Sequence, residues 1–145
     1  VTPFFDARVA DWVNLHMPGS GDGFGQCQAM GIAHNGRIVA GIVFHNWEPE
    51  HSLIELSGAA IDRRWMTRTV LRTMFSYAFS VCETVFARHD EDSPARAIWK
   101  ALGAEEYLIP RMRGKDKAIC ISVLAKEAWE KSRFNGGGNG KEQIA

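Results

Sequence analysis

The spacing of apolar residues changes period twice along this chain, and each change marks a change of element. Over residues 4–16, Phe5, Val9, Trp12, Val13 and His16 recur at helical intervals and predict a short helix. A glycine-rich loop, PGSGDGFGQ, follows at 18–26. From residue 27 the pattern shortens to strands. Residues 27–34 and 37–47 read as two strands joined by Asn35-Gly36, a dipeptide that favours a tight hairpin. A turn about Pro49 leads to a third strand over 52–61.

The helical period then returns. Met66, Val70, Met74 and Ala78 lie four apart, and Leu71, Phe75 and Phe79 form the adjoining row. Together they make one broad apolar stripe suited to packing on a sheet. Thr67 stands where an N-cap is needed. A strand is predicted at 83–88. Ser93-Pro94 and Gly103 bound a helix over 94–102. Residues 105–111 and 117–124 form a last strand pair around the turn 113–116, and 126–133 add a helical turn or two. The end, NGGGNGKEQIA, offers no core residues, so 135–145 are expected to be a disordered tail behind a single domain, 1–134.

Helix, three-strand meander, helix, strand, helix and strand pair place the chain in the α/β (α+β) class, with a mixed central sheet and helices on both faces. The connection from strand 52–61 to strand 83–88 is expected to be a parallel, right-handed crossover. Composition sets limits on partners. The 145 residues are 46% hydrophobic and carry a formal net charge of zero, which argues against a nucleic-acid-binding surface. No apolar run has the length of a membrane helix and no signal peptide opens the sequence, so the expectation is a cytoplasmic protein with no membrane partner. Cys27, Cys82 and Cys120 are scattered without metal-ligand spacing, and no metal is expected. There is no P-loop, dinucleotide fingerprint or nucleophile elbow.

A local basic site lies in SGAAIDRRWMTRTVLRTMFSYAF, residues 57–79, where Arg63, Arg64 and Arg68 crowd the start of a predicted helix. A helix start already carries partial positive charge, so cations there are misplaced unless an anion joins them. Parallel strands joined by a helix also leave a crevice at their carboxyl ends, where ligands favour binding.

The order of elements, and the stretches RRWMTRTVLRTMFSYAF and SPARAIWKALGAEE in particular, resemble the GNAT family of N-acetyltransferases, and within it a subgroup often found in phages and prophages. The likeness covers roughly residues 26–125. It implies acetyl-CoA as co-substrate and an amine acceptor. It further implies that the turn Arg63, Arg64, Trp65, Met66, Thr67 and Arg68 holds the pyrophosphate, that Ala59, Ala60 and Ile61 run beside the pantetheine arm, and that Asp92, Ser93 and Trp99 lie near its far end. Two departures from the family pattern matter. Met66 and Arg68 stand where small residues are usual in the turn, and Trp99 stands where a tyrosine acid is often found.

Attack by an amine requires a group to accept its proton. Glu55 is the first candidate base, on a face shared with Ser57, with His45 and His51 as second candidates. The resulting expectation is direct acetyl transfer to a primary amine, by a monomer or homodimer. The alternative is a catalytically weak or inactive module of phage origin that binds CoA or a partner protein.

Overall fold

The structure, a computed structural model, describes residues 1–17 and 23–135. The elements in chain order are β1 (Thr2–Phe5), α1 (Val9–His16), β2 (Cys27–His34), β3 (Arg37–Glu48), β4 (Leu53–Ala60), a 3-10 turn (Arg63–Trp65), α2 (Arg68–Val81), β5 (Thr84–Asp90), α3 (Ala95–Leu102), β6 (Glu105–Ile109), β7 (Ile119–Ala125) and α4 (Lys126–Lys131). Residues 18–22 of the expected glycine-rich loop, and the expected tail beyond Asn135, lie outside the described residues. No described helix is long and apolar enough to cross a membrane.

The strands form one sheet in the order β1-β2-β3-β4-β5-β7-β6. The β4–β5 pair is parallel and its neighbours are antiparallel. The hairpin between β2 and β3 turns through Asn35 and Gly36, both at positive φ (52° and 76°), the geometry that this dipeptide tolerates.

One face of the sheet, with Met30, Ile32, Ile42, Phe44, Ile54 and Leu56, packs against Val70, Leu71, Met74 and Phe75 of α2. Trp99 and Leu102 of α3 and Trp129 of α4 extend the same core. On the opposite face Val9 and Val13 of α1 meet Ala29 and Val43. Each fully buried aliphatic or aromatic side chain contributes about 1.5–3 kcal/mol relative to exposure. The larger core therefore fixes α2, and with it the turn before it.

Two expectations need correction. Residues 4–16 are not one helix. Thr2–Phe5 pair with β2, Phe5 opposite Met30, and the helix starts only at Val9. Phe5 suits both periods, and the open edge of β2 decides between them by supplying hydrogen-bond partners. The first strand of the last pair ends at Ile109 rather than 111. Pro110 has no N–H to continue the ladder, and Arg111 adopts a positive φ of 67°.

The docking of α1 is tight at Gly41, where a Cβ would stand 2.6 Å from Val13 Cγ2 and 2.8 Å from Val9 Cγ1. Gly41→Ala is therefore expected to destabilise the fold by about 1–3 kcal/mol through overpacking. Urea denaturation checks this, and an unchanged midpoint would place α1 elsewhere.

Candidate functional site

The ladder between β4 and β5 is short. Leu53, Ile54 and Glu55 pair with Thr84, Val85 and Phe86, and there the pairing ends. Yet β4 continues to Ala60, bonded to β3, and β5 continues to Asp90, bonded to β7. The two strands part after Glu55 and leave a fork in the sheet. Main-chain groups along its inner edges have no strand partner among the described residues. The β4 edge is lined by small residues, Ser57, Gly58, Ala59 and Ala60. Gly58 keeps this edge slim, since a Cβ there would lie 2.7 Å from Ile42 Cδ1 and 3.1 Å from Gly41 O and would make the Ile42 side chain shift. The side chain of Ile61 at the mouth is exposed while its N–H is held by Val39 O at 2.8 Å.

At the vertex of the fork sits Glu55, 2% exposed. Arg88, two residues beyond the last paired position of β5, reaches back to it. Arg88 Nε donates to Glu55 Oε2 and Nη2 to Oε1, both at 2.8 Å. Asn46 Nδ2 donates to Oε1 at 2.8 Å from a bulge in β3, where Asn46 itself takes φ 52°. Asparagine is one of the few residues that adopt this conformation readily. Burial opposes the charge on Glu55, but the hydrogen bonds from Arg88 and Asn46 outweigh it and hold its carboxyl below the ordinary range. Both carboxylate oxygens thus accept hydrogen bonds from neighbouring side chains, two at Oε1 and one at Oε2.

Directly across from Glu55 on β3 is His45. Its Nε2 is 2.8 Å from Ser57 Oγ, the diagonal neighbour on β4, and both residues are buried. Burial pushes the His45 imidazole below its usual value, opposed by Glu55 and aided by the charge of Arg88. His45 is therefore uncharged at neutral pH. The ring of Phe24 meets it edge-on at 4.9 Å. A pocket of about 210 Å³ opens on this group, lined by His45, Asn46, Glu55, Ser57, Arg88 and Arg113, with Phe24 among the remaining walls. A second hollow, about 410 Å³, adjoins Phe44, Trp47, Ile54 and Tyr77, with no carboxylate or imidazole among its described lining residues.

The turn after β4 differs from its expected form. Asp62 accepts the Arg64 N–H at 2.9 Å, and the Arg64 guanidinium folds back onto the same carboxylate, with Nη2–Oδ2 at 3.0 Å. Part of the negative charge that the arginines call for is thus supplied by the chain, and Asp62 is held at about 2 by these bonds. Thr67 caps α2 as expected, accepting the Val70 N–H at 3.2 Å. Met66 is 5% exposed and packs in the core, and Trp65 packs against it. Arg68, on the first turn of α2, keeps its Nε buried with no hydrogen-bond partner among the described residues.

The other predicted residues are dispersed. Asp92 is exposed and lies 3.4 Å from Lys117 Nζ. Ser93 Oγ accepts the Ala95 N–H at 3.2 Å. Trp99 is 8% exposed and meets Phe75 edge-to-face at 5.4 Å, on the core side of the sheet. His51 is on the surface, 2.8 Å from Glu48. The fold therefore brings together Glu55, His45 and Ser57, and leaves His51 and Trp99 outside the pocket. It adds Asn46, Arg88 and Arg113, which the sequence pattern does not single out. The polar Asn46 interrupting an apolar strand is the one visible signal. The parallel register that carries Arg88 to Glu55 has none.

No known family profile matches the chain, and no curated protein matches its sequence. Solved structures do match. A spermidine/spermine N-acetyltransferase from Vibrio cholerae superposes with a TM-score of 0.63 at 10% identity, over 81% of this chain and 73% of that one. A GCN5-related N-acetyltransferase from Brucella melitensis gives 0.57 at 16% identity, over 72% and 53%. A protein described as a probable acetyltransferase gives 0.61 at 17%, over 72% and 63%. The chain thus spans less than two thirds of two of these three proteins. It has the fold that they share.

Removing Arg88 should expose how much the vertex depends on it. In the intact protein Glu55 has a lowered folded pKa. Its pairing adds stability above the unfolded carboxyl value, and that stability is lost as pH falls through the folded one. In Arg88→Ala, burial is left to dominate and raises the pKa, so the carboxylate is most costly at neutral pH. The variant is expected to lose about 1–3 kcal/mol at pH 7, a figure reduced because Arg88 is 48% exposed. Part of this should return toward pH 5 or with Glu55→Gln. Denaturation curves at both pH values test this, and a variant as stable as wild type at pH 7 contradicts it.

Proposed function

We propose that the chain is an acetyl-CoA-dependent N-acetyltransferase acting on a primary amine. The observation that carries this is the fork. It offers unpaired main-chain groups, small flanking residues and a buried proton-accepting group at one vertex. In this account the pantetheine arm lies along Ser57–Ile61 as an added strand, bonding to main-chain groups that β5 leaves free.

The residues of the turn fit a pyrophosphate. Arg68 Nε is a buried donor with no partner, and the first turn of α2 adds N–H groups without acceptors inside the helix. Met66, unexpected in such a turn, does not narrow the approach, because its side chain is packed in the core. Arg63 and Arg64 complete the cationic surround, with Arg64 shared with Asp62. Asp92 and Ser93 stand at the start of α3, and Trp99 supports that helix from the core. No described group of three or more His, Cys, Asp or Glu side chains is placed to hold a metal.

Acetyl-CoA supplies an activated acetyl thioester. His45 is the base, neutral at working pH, and takes the amine proton through Ser57 Oγ as the nitrogen bonds to the acetyl carbon; the C–S bond then breaks and CoA leaves as its thiolate, which solvent protonates. Glu55 is a positioning residue: its carboxylate is committed to Arg88 and Asn46 and so fixes the wall that His45 faces. Main-chain N–H groups at the fork polarise the acetyl carbonyl. The finer likeness to a phage and prophage subgroup rests on residues 63–79 and 93–104. One observation favours a second reading, a CoA-binding module with little turnover. The position where the family often has a tyrosine acid holds Trp99, buried in the core.

Free thiol released from acetyl-CoA across an amine panel, beside a CoA titration, separates the two. Release is expected; binding without release on any acceptor would favour the module. Arg68→Ala is expected to weaken CoA by roughly tenfold and pantetheine, which lacks the pyrophosphate, little. Equal losses would exclude the anion site.

The pH profile identifies the base. The His45 pKa is lowered from 6.5, so the enzyme's acid limb of kcat/KM should lie below that value once the rate is corrected for the acceptor amine's own ionisation. His45→Gln should remove the limb and cut kcat by about 100-fold or more. A limb in the carboxylate range, with His45→Gln nearly unaffected, would return the role to Glu55.

A further inference from the structure

The pocket beside the fork constrains the acceptor, if the transferase reading above holds. Among its described lining residues the one carboxylate is Glu55, and both its oxygens are already taken. Arg88 binds them in a bidentate pair and Asn46 adds a third hydrogen bond. A polycation entering here would meet a carboxylate whose charge is already paired with Arg88, beside a second guanidinium, Arg113.

The cationic side is less completely used. Arg88 commits Nε and Nη2 to Glu55, and its side chain is 48% exposed. A guanidinium has five N–H donors, so its outer edge retains donors for a second anionic group. Arg113 lines the same pocket from the β6–β7 connection and is 40% exposed. Its Nε donates to Asp90 Oδ1 at 2.9 Å. That carboxylate is half exposed on the rim, and Lys117 stands 4.0 Å from it. Lys117 is closer to Asp92, at 3.4 Å. Two guanidinium groups therefore border a space of about 210 Å³, with a proton acceptor, His45, on its wall.

We propose that the acceptor is a small free amino acid or a similar zwitterion, its carboxylate held between Arg88 and Arg113 and its amine directed at Ser57 and His45. The carboxylate is what Arg geometry recognises bidentately. A protein N-terminus has no carboxylate at that distance from its amine, and a polyamine has none at all. Both are disfavoured for that reason.

The test is binding to the full chain, read from the side-chain Nε–Hε resonances of Arg88 and Arg113 by NMR. The probes are N-acetylalanine, N-acetylalaninamide and spermidine. The carboxylate probe is expected to shift both resonances saturably and to bind roughly tenfold more tightly than the amide, with spermidine weakest. Arg113→Gln, at an exposed turn position, is expected to erase most of that preference. Equal affinity for the amide, tightest binding of spermidine, no saturable shift with the carboxylate, or an unchanged preference in Arg113→Gln would each overturn the proposal. CoA affinity is measured in the same samples. If CoA binds while the carboxylate preference fails, only the acceptor class is wrong. If CoA does not bind, the transferase reading itself falls.

Discussion

The bond between Glu55 and Arg88 is the constraint on which the rest of the site depends. Two neighbouring strands that run parallel ordinarily continue pairing for as long as both persist. Here β4 and β5 separate after three paired positions, although both go on for several residues. The side chain of Arg88, from beyond the point of separation, reaches back across the gap to a buried carboxylate at its vertex. A doubly hydrogen-bonded ion pair thus takes over where the main-chain ladder stops. It also keeps Glu55 ionised despite burial, while burial itself, aided by the charge of Arg88 and opposed by Glu55, lowers the pKa of the neighbouring His45.

Two large side chains at positions that depart from the family pattern, Met66 and Trp99, are internal. Met66 and Trp99 point into the core against α2, so the outer surface of the fork is left to main chain and small residues. Packing on one face of the sheet therefore leaves the edge of β4 accessible. The same packing holds α2 with its first turn toward the mouth of the fork, with Thr67 as cap and Arg68 just inside. The cluster of arginines in that turn is partly self-compensated, since Arg64 rests on Asp62. That leaves Arg68, with its partnerless Nε, as the residue best suited to meet an added anion.

Much of the scaffold was legible in the residues because local signals and tertiary packing agree. Asn35-Gly36, the double apolar row from Met66 to Phe79, the Thr67 cap and Gly103 after α3 each act over a few residues, and each appears in the structure at its predicted place. Phe4 and Phe5 were misread because an edge strand and a helix start accept the same residues, and only the presence of β2 decides. Candidate site residues were legible on β3 and β4, where alternation puts Glu55 and Ser57 on one face and the hairpin register brings His45 opposite. Arg88 was not, because a parallel register across a 14-residue helix leaves no trace in local spacing. The bulge at Asn46 was not either, since it depends on the carboxylate that its side chain binds.

The central claim is that the open edges of β4 and β5 receive an extended chain as a strand would. Amide hydrogen exchange with and without CoA tests it at the level of individual main-chain groups. Slowed exchange is predicted within residues 57–61 and at the first turn of α2, with the β1–β2 edge unchanged. Exchange at 57–61 that is indifferent to saturating CoA, or protection confined to other strands, would contradict the account.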